Sequence, residues 1–535
     1  MANTCSSNVT SGFIDLATYD ELEKYMYGGP DATAYFVRET RKSTWFTQVP
    51  VVLSKASGQS QFGQDWAVTI SRAGDYLLNT WLRVTLPKVC VCTSNQGAFV
   101  FNDVAALGPK RVSWTPNLMH NLIRDCCITF NDLVAARFDN FHLDFWAAFT
   151  VPASKGVVYQ NMIGNSSCLT DPCVCLPESV LNLPLPFFYS RDSGVALPTA
   201  ALPYNDMRIN FSFRNWEDLL TTWGVAASVN PAGAVLTCSR GTTDYLCTGE
   251  PALSNVQVWA NYAIVSNDER KRMACAPRDI LIEQVQVTPC QNIVSAAQTH
   301  QYDVRFSHAI KVLFFAVQNF TCTSFWSNYT TDPVALNLAA LPGGCWPIVH
   351  PPNGCNDNGA LVDNSANGGA VMWVDPVVTT SLIYENTQRL AFMGSDYFTL
   401  VQPWYHAPAN AAAEGYVGIG NGTGYHMYSY SLEFICLDPM GSTNYGKLTN
   451  VSICINIGAR AQNALVAGSA GGVAGAAAGV PAALGAGQGV FPGTVYVPVN
   501  AATFLYHAQN YRFVVTAVNN NIVRISGGAL GFPVL

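Results

Sequence analysis

Leu78-Asn-Thr-Trp-Leu-Arg-Val-Thr-Leu86 alternates along its length. Leu78, Thr80, Leu82, Val84 and Leu86 form a mainly apolar face, with Asn79, Trp81, Arg83 and Thr85 on the other. A repeat of two is the mark of a half-buried β-strand. The same device recurs in Val256-Gln-Val-Trp-Ala-Asn-Tyr-Ala-Ile264, where Gln257 and Asn261 interrupt the apolar positions. Further β-rich runs cover Ile310–Val317, Tyr428–Ile435, Val451–Ile457 and Phe513–Val518. After the last, Asn519-Asn520-Asn521 is expected to turn the chain back into Ile522–Ile525, because Asn tolerates positive φ.

Helices are expected to be few and short. Thr18–Tyr27 reads as one, with Thr18 and Glu21 as a capping box and Gly28 as its stop. Asn267–Met273 and Trp216–Trp223 are the other candidates. Many short strands without strand–helix alternation exclude a parallel α/β fold and predict all-β sandwiches or barrels. Between the strands lie long stretches with no periodicity: Lys88–Lys110, Pro152–Pro177, Val225–Ser254, Thr321–Thr379, Tyr405–Gly424 and Arg460–Gly493. Loops of such length usually have a function. A boundary is placed near Gly249–Leu253, before the strand at Val256. This gives an N-terminal arm over 1–30, a first β-domain over 31–250 and a second over 251–535.

Charge is scarce. Only 12% of the 535 residues are charged while 49% are hydrophobic, against about 25% charged in an ordinary soluble domain. Such a surface needs neighbours to cover it, which predicts self-association. The net charge of −7 argues against a nucleic-acid surface, which needs concentrated Lys and Arg. Arg270-Lys271-Arg272 follows Asp268-Glu269, the charge order a helix favours at its two ends. No secretory signal is visible at the N-terminus, so the 17 cysteines are expected to be mostly reduced. The close sets Cys168/Cys173/Cys175 and Cys322/Cys345/Cys355 are the ones placed to pair if oxidised. The stretch Ala464–Gly489 is almost wholly Ala, Gly and Val. Its glycines and Pro481 disfavour helix, so a surface loop is expected there rather than a membrane span.

Motifs for chemistry fail on spacing or context. Gly441-Ser-Thr-Asn-Tyr-Gly446-Lys447 has Leu448 where a phosphate loop needs Ser or Thr, and a strand follows where that loop needs a helix. Gly418-x-Gly420-x-Gly422-x-Gly424 has the wrong spacing for a dinucleotide. Cys90-Val-Cys92, Cys126-Cys127 and Cys173-Val-Cys175 lack the two-residue spacer of a zinc pair. Histidines 120, 142, 300, 308, 350, 406, 426 and 507 are scattered, with His308 read as a structural strand residue. The acid pair Asp139/Asp144 is read as turn caps and salt bridges rather than as a glycosidase pair. The seven Asn-x-Ser/Thr sequons, at Asn8, Asn165, Asn210, Asn319, Asn328, Asn421 and Asn450, matter only in a secretory lumen. No catalytic residue, cofactor or metal ligand is expected.

Longer blocks carry a family resemblance. Gln61-Phe-Gly-Gln-Asp-Trp-Ala-Val-Thr-Ile-Ser-Arg-Ala-Gly-Asp75, Ile128-Thr-Phe-Asn-Asp-Leu133, Leu143-Asp-Phe-Trp-Ala-Ala-Phe149, Leu183-Pro-Leu-Pro-Phe-Phe188, Ser190-Arg-Asp-Ser-Gly-Val-Ala-Leu-Pro198 and Leu202-Pro-Tyr-Asn-Asp-Met-Arg-Ile209 are among them. So are Arg305-Phe-Ser-His-Ala-Ile-Lys311, Asp438-Pro-Met-Gly-Ser-Thr-Asn-Tyr-Gly-Lys447 and the C-terminal Val523-Arg-Ile-Ser-Gly-Gly-Ala-Leu-Gly-Phe-Pro-Val-Leu535. Together they resemble the major capsid proteins of the nucleocytoplasmic large DNA viruses, iridoviruses above all. The resemblance implies two consecutive eight-stranded antiparallel jelly rolls with long loop insertions. It also implies a late virion protein that assembles in the host cytoplasm. Three chains would form each capsomer of an icosahedral shell over an internal membrane. Minor capsid and penton proteins would meet the inner face, where the N-terminal arm lies. Against this structural reading stand a glycan-binding β-sandwich, using loop Trp and Tyr, and a β-sandwich hydrolase with two convergent carboxylates.

Overall fold

The computed structural model describes residues 4–91, 109–171, 173–226, 235–241, 246–275, 277–295, 297–320, 323–330, 375–407, 424–458 and 510–532. It also describes residues 243, 336–337, 461–462 and 465. The Ala/Gly-rich stretch 464–493 therefore lies almost wholly outside the described residues, as do Cys322, Cys345 and Cys355. Two compact units are present, Met1–Trp45 and Phe46–Leu535.

The N-terminal unit holds helices α1 (Thr4–Ala17) and α2 (Glu21–Tyr27). The expected cap shifts by two residues. Asp20 accepts from the Glu21 N–H at 2.8 Å, and its own N–H donates to Glu23 at 3.3 Å. Thr18 instead donates to the Asp15 carbonyl at 2.6 Å, at the end of α1. A second helix immediately upstream takes Thr18 out of the capping position.

In the large unit the first sandwich is built from β1 (Phe46–Val52), β2 (Ser54–Gly58), β3 (Asp65–Thr69), β4 (Tyr76–Leu86), β5 (Ile123–Phe130), β6 (Leu133–Phe138), β7 (Ser179–Pro184), β8 (Met207–Phe213) and β9 (Ser254–Val265). One sheet runs β1-β9-β4-β7 and the other β2-β3-β8-β5-β6, every pairing antiparallel. Leu77, Leu82, Val84, Ile128, Ile209, Phe211 and Val258 fill the space between them, all at 2% exposure or less. The expected alternation of β4 holds from Thr80 onward but breaks at Leu78. Across from it, β9 skips from Asn261↔Asn79 to Tyr262↔Leu77. This bulge gives Leu78 no partner and turns Leu77 inward, since one extra residue flips a strand's faces.

The second sandwich takes β10 (Arg278–Val287), β11 (Thr299–Asp303), β12 (Ala309–Asn319), β13 (Val377–Tyr384), β14 (Thr387–Gly394), β15 (His426–Ser429), β16 (Val451–Ile457) and β17 (Tyr511–Ser526). Its sheets run β10-β17-β12-β15 and β11-β16-β13-β14, with short strands added to the first. Ile310, Leu313, Phe315, Val317, Ile453, Ile455, Phe513 and Val515 are in its core.

Several expectations change here. The strand over Val256–Ile264 does not open the second half. As β9 it pairs with β1 and β4 and completes a sheet of the first sandwich, so the chain crosses over at the helix Asn267–Cys275. Asn519–Asn521 makes no turn: β17 runs straight through, pairing Asn519↔Gln284 and Asn521↔Ile282. Side-chain amides satisfy one another, Gln286 donating to Asn519 Oδ1 at 3.0 Å and Asn521 to Gln284 Oε1 at 3.0 Å. Trp216–Trp223 is a single 3-10 turn, Trp216–Asp218, and then a strand from Leu220 to Ala226, as its Thr-Thr-Trp run prefers. The run Tyr428–Ile435 leaves the ladder after Ser429, where serine hydroxyls take over: Ser429 donates to the Ser431 carbonyl at 2.7 Å. Pro152–Pro177 contains two helices, Ala153–Ile163 and Ser167–Thr170, rather than loop alone. Finally, Cys90 and Cys175 form a disulfide. Their short strands Val89–Cys90 and Cys175–Leu176 place them directly opposite each other, so Cys175 joins a residue outside the close set expected for it.

Candidate functional site

Among the described residues the sequence candidates do not gather into a reactive cleft. Gly441–Lys447 forms a two-residue strand, Thr443–Asn444, and a 3-10 turn leading into β16. No helix follows to present amides to a phosphate. Asp139 caps α3 (Asn140–Thr150), accepting from the His142 N–H at 2.9 Å. Burial above all lifts its carboxyl to about 6, against the pull of that hydrogen bond and of Arg214. His308 adopts a left-handed φ of 62° immediately before β12 rather than sitting within a strand. Cys126 is wholly buried, and burial pushes its thiol well up. Among the described residues no three His, Cys, Asp or Glu side chains cluster as metal ligands do.

The chemistry-bearing side chains lie instead at the seam between the sandwiches, and α3 is the element that builds it. Leu143 faces the first core, while Phe141, Phe145, Trp146, Ala148 and Phe149 pack on Val312, Phe314, Tyr425, Met427 and Val518 of the second. Phe314 stacks against Phe145 and Phe149 at centroid distances of 5.9 and 5.6 Å. The strand β12 is therefore buried on both faces, which its run Ile310-Lys-Val-Leu-Phe-Phe-Ala-Val317 anticipates. The far ends of β10 and β17 cross the seam too: Ile280, Ile282, Val523 and Ile525 belong to the first core.

Two polar clusters cross the same seam. Asp144 of α3 has no exposure. It accepts from Ser327 at 2.8 Å and Tyr329 at 2.9 Å, both from the segment after β12, and from Asn117 at 3.3 Å. His120 Nδ1 is 2.8 Å from it, and His120 Nε2 is 2.6 Å from the Tyr159 hydroxyl. Asn117 and Ser327 hold left-handed φ values of 51° and 55°, a cost these bonds offset. An Asp–His–Tyr chain invites a catalytic reading, but all of it is closed to solvent except at Tyr159, and it orients the seam. In the second cluster Glu283 of β10 receives Lys311 at 2.6 Å and Arg191 at 2.9 Å. Lys311 also donates to the Cys436 carbonyl at 2.7 Å, and Arg191 lies 3.7 Å above the Trp146 ring. Lys311 reaches this point because the β12–β17 register skips it between Ile310 and Val312, so that the bulge re-aims its side chain. His142 sits nearby among Phe138, Trp146 and Phe314 with neither ring nitrogen bonded. Burial, aided by Arg191, pulls it down to about 3.

On the outer side of the β1-β9-β4-β7 sheet the registers line up Val52, Trp259, Trp81 and Pro184, one from each strand. The two indoles stack at 6.2 Å and 11°, and Val52 is 41% exposed. An apolar row thus spans the whole sheet facing outward.

Residues 34–265 match the model of the major capsid protein N-terminus, and residues 269–478 that of the large eukaryotic DNA virus major capsid protein. The major capsid protein of Costelytra zealandica iridescent virus is 54% identical over 540 residues, covering 99% of each chain. The chain belongs to the major capsid protein family of the large eukaryotic DNA viruses. That of Lymphocystis disease virus 1 is 40% identical over the full length of both. Among solved structures, PBCV-1 VP54 covers 94% of this capsid protein at a TM-score of 0.63 and 17% identity, a likeness of fold. The junction between the two matched regions, 265 to 269, coincides with the end of β9. This capsid protein's role is structural, in the viral shell. The glycan-binding alternative finds no support in these relatives, and what sequence motifs alone missed was the seam. Its only local sign was the aromatic-rich stretch Phe141–Phe149, broken by His142 and Asp144, where strand alternation stops.

Proposed function

We propose that three copies of this chain associate into a capsomer whose six sandwiches give a pseudo-hexagonal block. Such blocks tile an icosahedral shell. The first sandwich ends with β9 and the second begins after the helix Asn267–Cys275. The chain performs no catalysis and makes no direct contact with nucleic acid. The N-terminal helices meet minor capsid or penton proteins on the inner face, close to the internal viral membrane. Assembly takes place in the host cytoplasm.

The outward apolar row Val52–Trp259–Trp81–Pro184 carries this reading. A β-sheet whose outer face carries half-buried stacked indoles beside the exposed Val52 needs a second surface to cover them, and a cyclic trimer buries such a face in a closed object. Sedimentation equilibrium tests it. The expected mass is three times 57.8 kDa, with Trp81→Asp shifting the protein toward monomer. A wild-type monomer at micromolar concentration, or a Trp81→Asp protein as trimeric as wild type, would overturn it.

A further inference from the structure

At the end of the seam where β8 finishes, β12 ends and β17 begins, there is a cavity of about 470 Å³. Arg124, Arg214 and Arg512 all line it, together with Trp326, Phe320 and Asp218. Arg214 lies 3.8 Å over the Trp326 ring, and Arg512 is 5.3 Å from the same ring and 5.1 Å from Phe320. The bonds they make are to neutral groups. Arg214 donates to the Asn121 carbonyl at 3.1 Å and to Asn140 at 2.9 Å, and Arg512 to Gln318 at 2.6 Å. Neither has a carboxylate at ion-pair distance among the described residues. Asp218, the acid in the wall, is engaged by Arg240 at 2.7 Å. Arg124, at the open side with 63% of its side chain exposed, stands 3.7 Å from Asp65.

Half-buried guanidiniums with no carboxylate at ion-pair distance are costly to keep, even with Asp139 and Asp218 in the surroundings of Arg214. Burial, with Arg512 alongside, brings Arg214 down to about 10 despite the nearby Asp139. A multivalent anion would reverse that penalty, and guanidinium forks fit its oxygens. The volume suits a small ligand. We propose that this cavity binds a phosphate-type oxyanion, held by Arg214 and Arg512 against the aromatic wall and by Arg124 at the mouth.

The test titrates the full-length protein, in chloride buffer at fixed ionic strength, with inorganic phosphate, pyrophosphate, adenosine monophosphate or acetate. Calorimetry and melting temperature are the readouts. Saturable binding of a phosphate species is expected, with a raised melting temperature. Arg512→Gln, which keeps a partner for Gln318, should weaken it by about tenfold or more, the scale of one charge-assisted bond. Arg124→Gln, an exposed and structurally mild change, should weaken it less and carries the test if Arg512→Gln fails to assemble. Tighter binding of the mononucleotide would identify a phosphate ester as the occupant, and equal or tighter binding of inorganic phosphate would identify the free ion. No saturable binding, unchanged binding in the variants, or acetate binding as well as phosphate would overturn the proposal.

Discussion

Glu283 holds two cations at once, Lys311 at 1% side-chain exposure and Arg191 at 12%. Removing its charge leaves both without their anion. Glu283→Gln should therefore lower the stability of the large unit by about 3–5 kcal/mol, the usual cost of breaking a buried pair from one side. A shift of the urea midpoint at unchanged slope would measure it. His142 gives a pH dependence of definite sign. Its folded value near 3 lies below the ~6.5 of an unfolded histidine. Between those limits the unfolded chain takes up a proton that the native one refuses. Stability from this residue is complete above pH 6.5 and falls as the pH drops toward 3, by about 5 kcal/mol in all. Asp139 works the other way. At about 6 when folded against ~3.9 unfolded, it favours the native state as pH falls from 6 to 4. His142→Leu should thus leave a protein that loses less stability on acidification than wild type; chemical denaturation at pH 7 and pH 4.5 compares the two. An unchanged pH profile would show that His142 does not set it.

The seam rests on one helix and one strand. Phe314 of β12 touches Phe145, Trp146 and Phe149 of α3 as well as Phe434, so Phe314→Ala should cost about 3–5 kcal/mol. Chemical denaturation followed by tryptophan fluorescence would report it. Leu313→Ala, one residue along on the opposite face and in the second core alone, should not loosen the packing around Trp146. How far such elements can be foreseen depends on what their residues must satisfy. Val451–Ile457 and Ala309–Asn319 follow from β-branched and aromatic content alone, and the capsid fold is carried by long blocks such as Gln61–Asp75. The bulge at Leu78 is invisible in β4, because its cause lies in the register of β9. Asn519–Asn521 looks like a turn until Gln284 and Gln286 supply cross-strand partners 233 and more residues away. The anion cavity was equally hidden: Arg124, Arg214 and Arg512 are far apart in sequence, and none sits in a basic run.

At the scale of the whole molecule, the two sandwiches share side chains rather than merely abut. Asp144 and Glu283 each draw ligands from both, and α3 serves both cores. Residues 46–535 should accordingly melt in a single calorimetric transition, with calorimetric and van't Hoff enthalpies agreeing per cooperative unit. Two resolved transitions, one for each sandwich, would contradict that.

The strand β17 lends Phe513 and Val515 to one core and Val523 and Ile525 to the other. On the ribosome, then, roughly five hundred residues must be made before either core can be finished. A nascent chain that stalls short of Tyr511 leaves both sandwiches open at once. Incomplete polypeptides would be sorted from the growing shell by their inability to close, with no separate proofreading step.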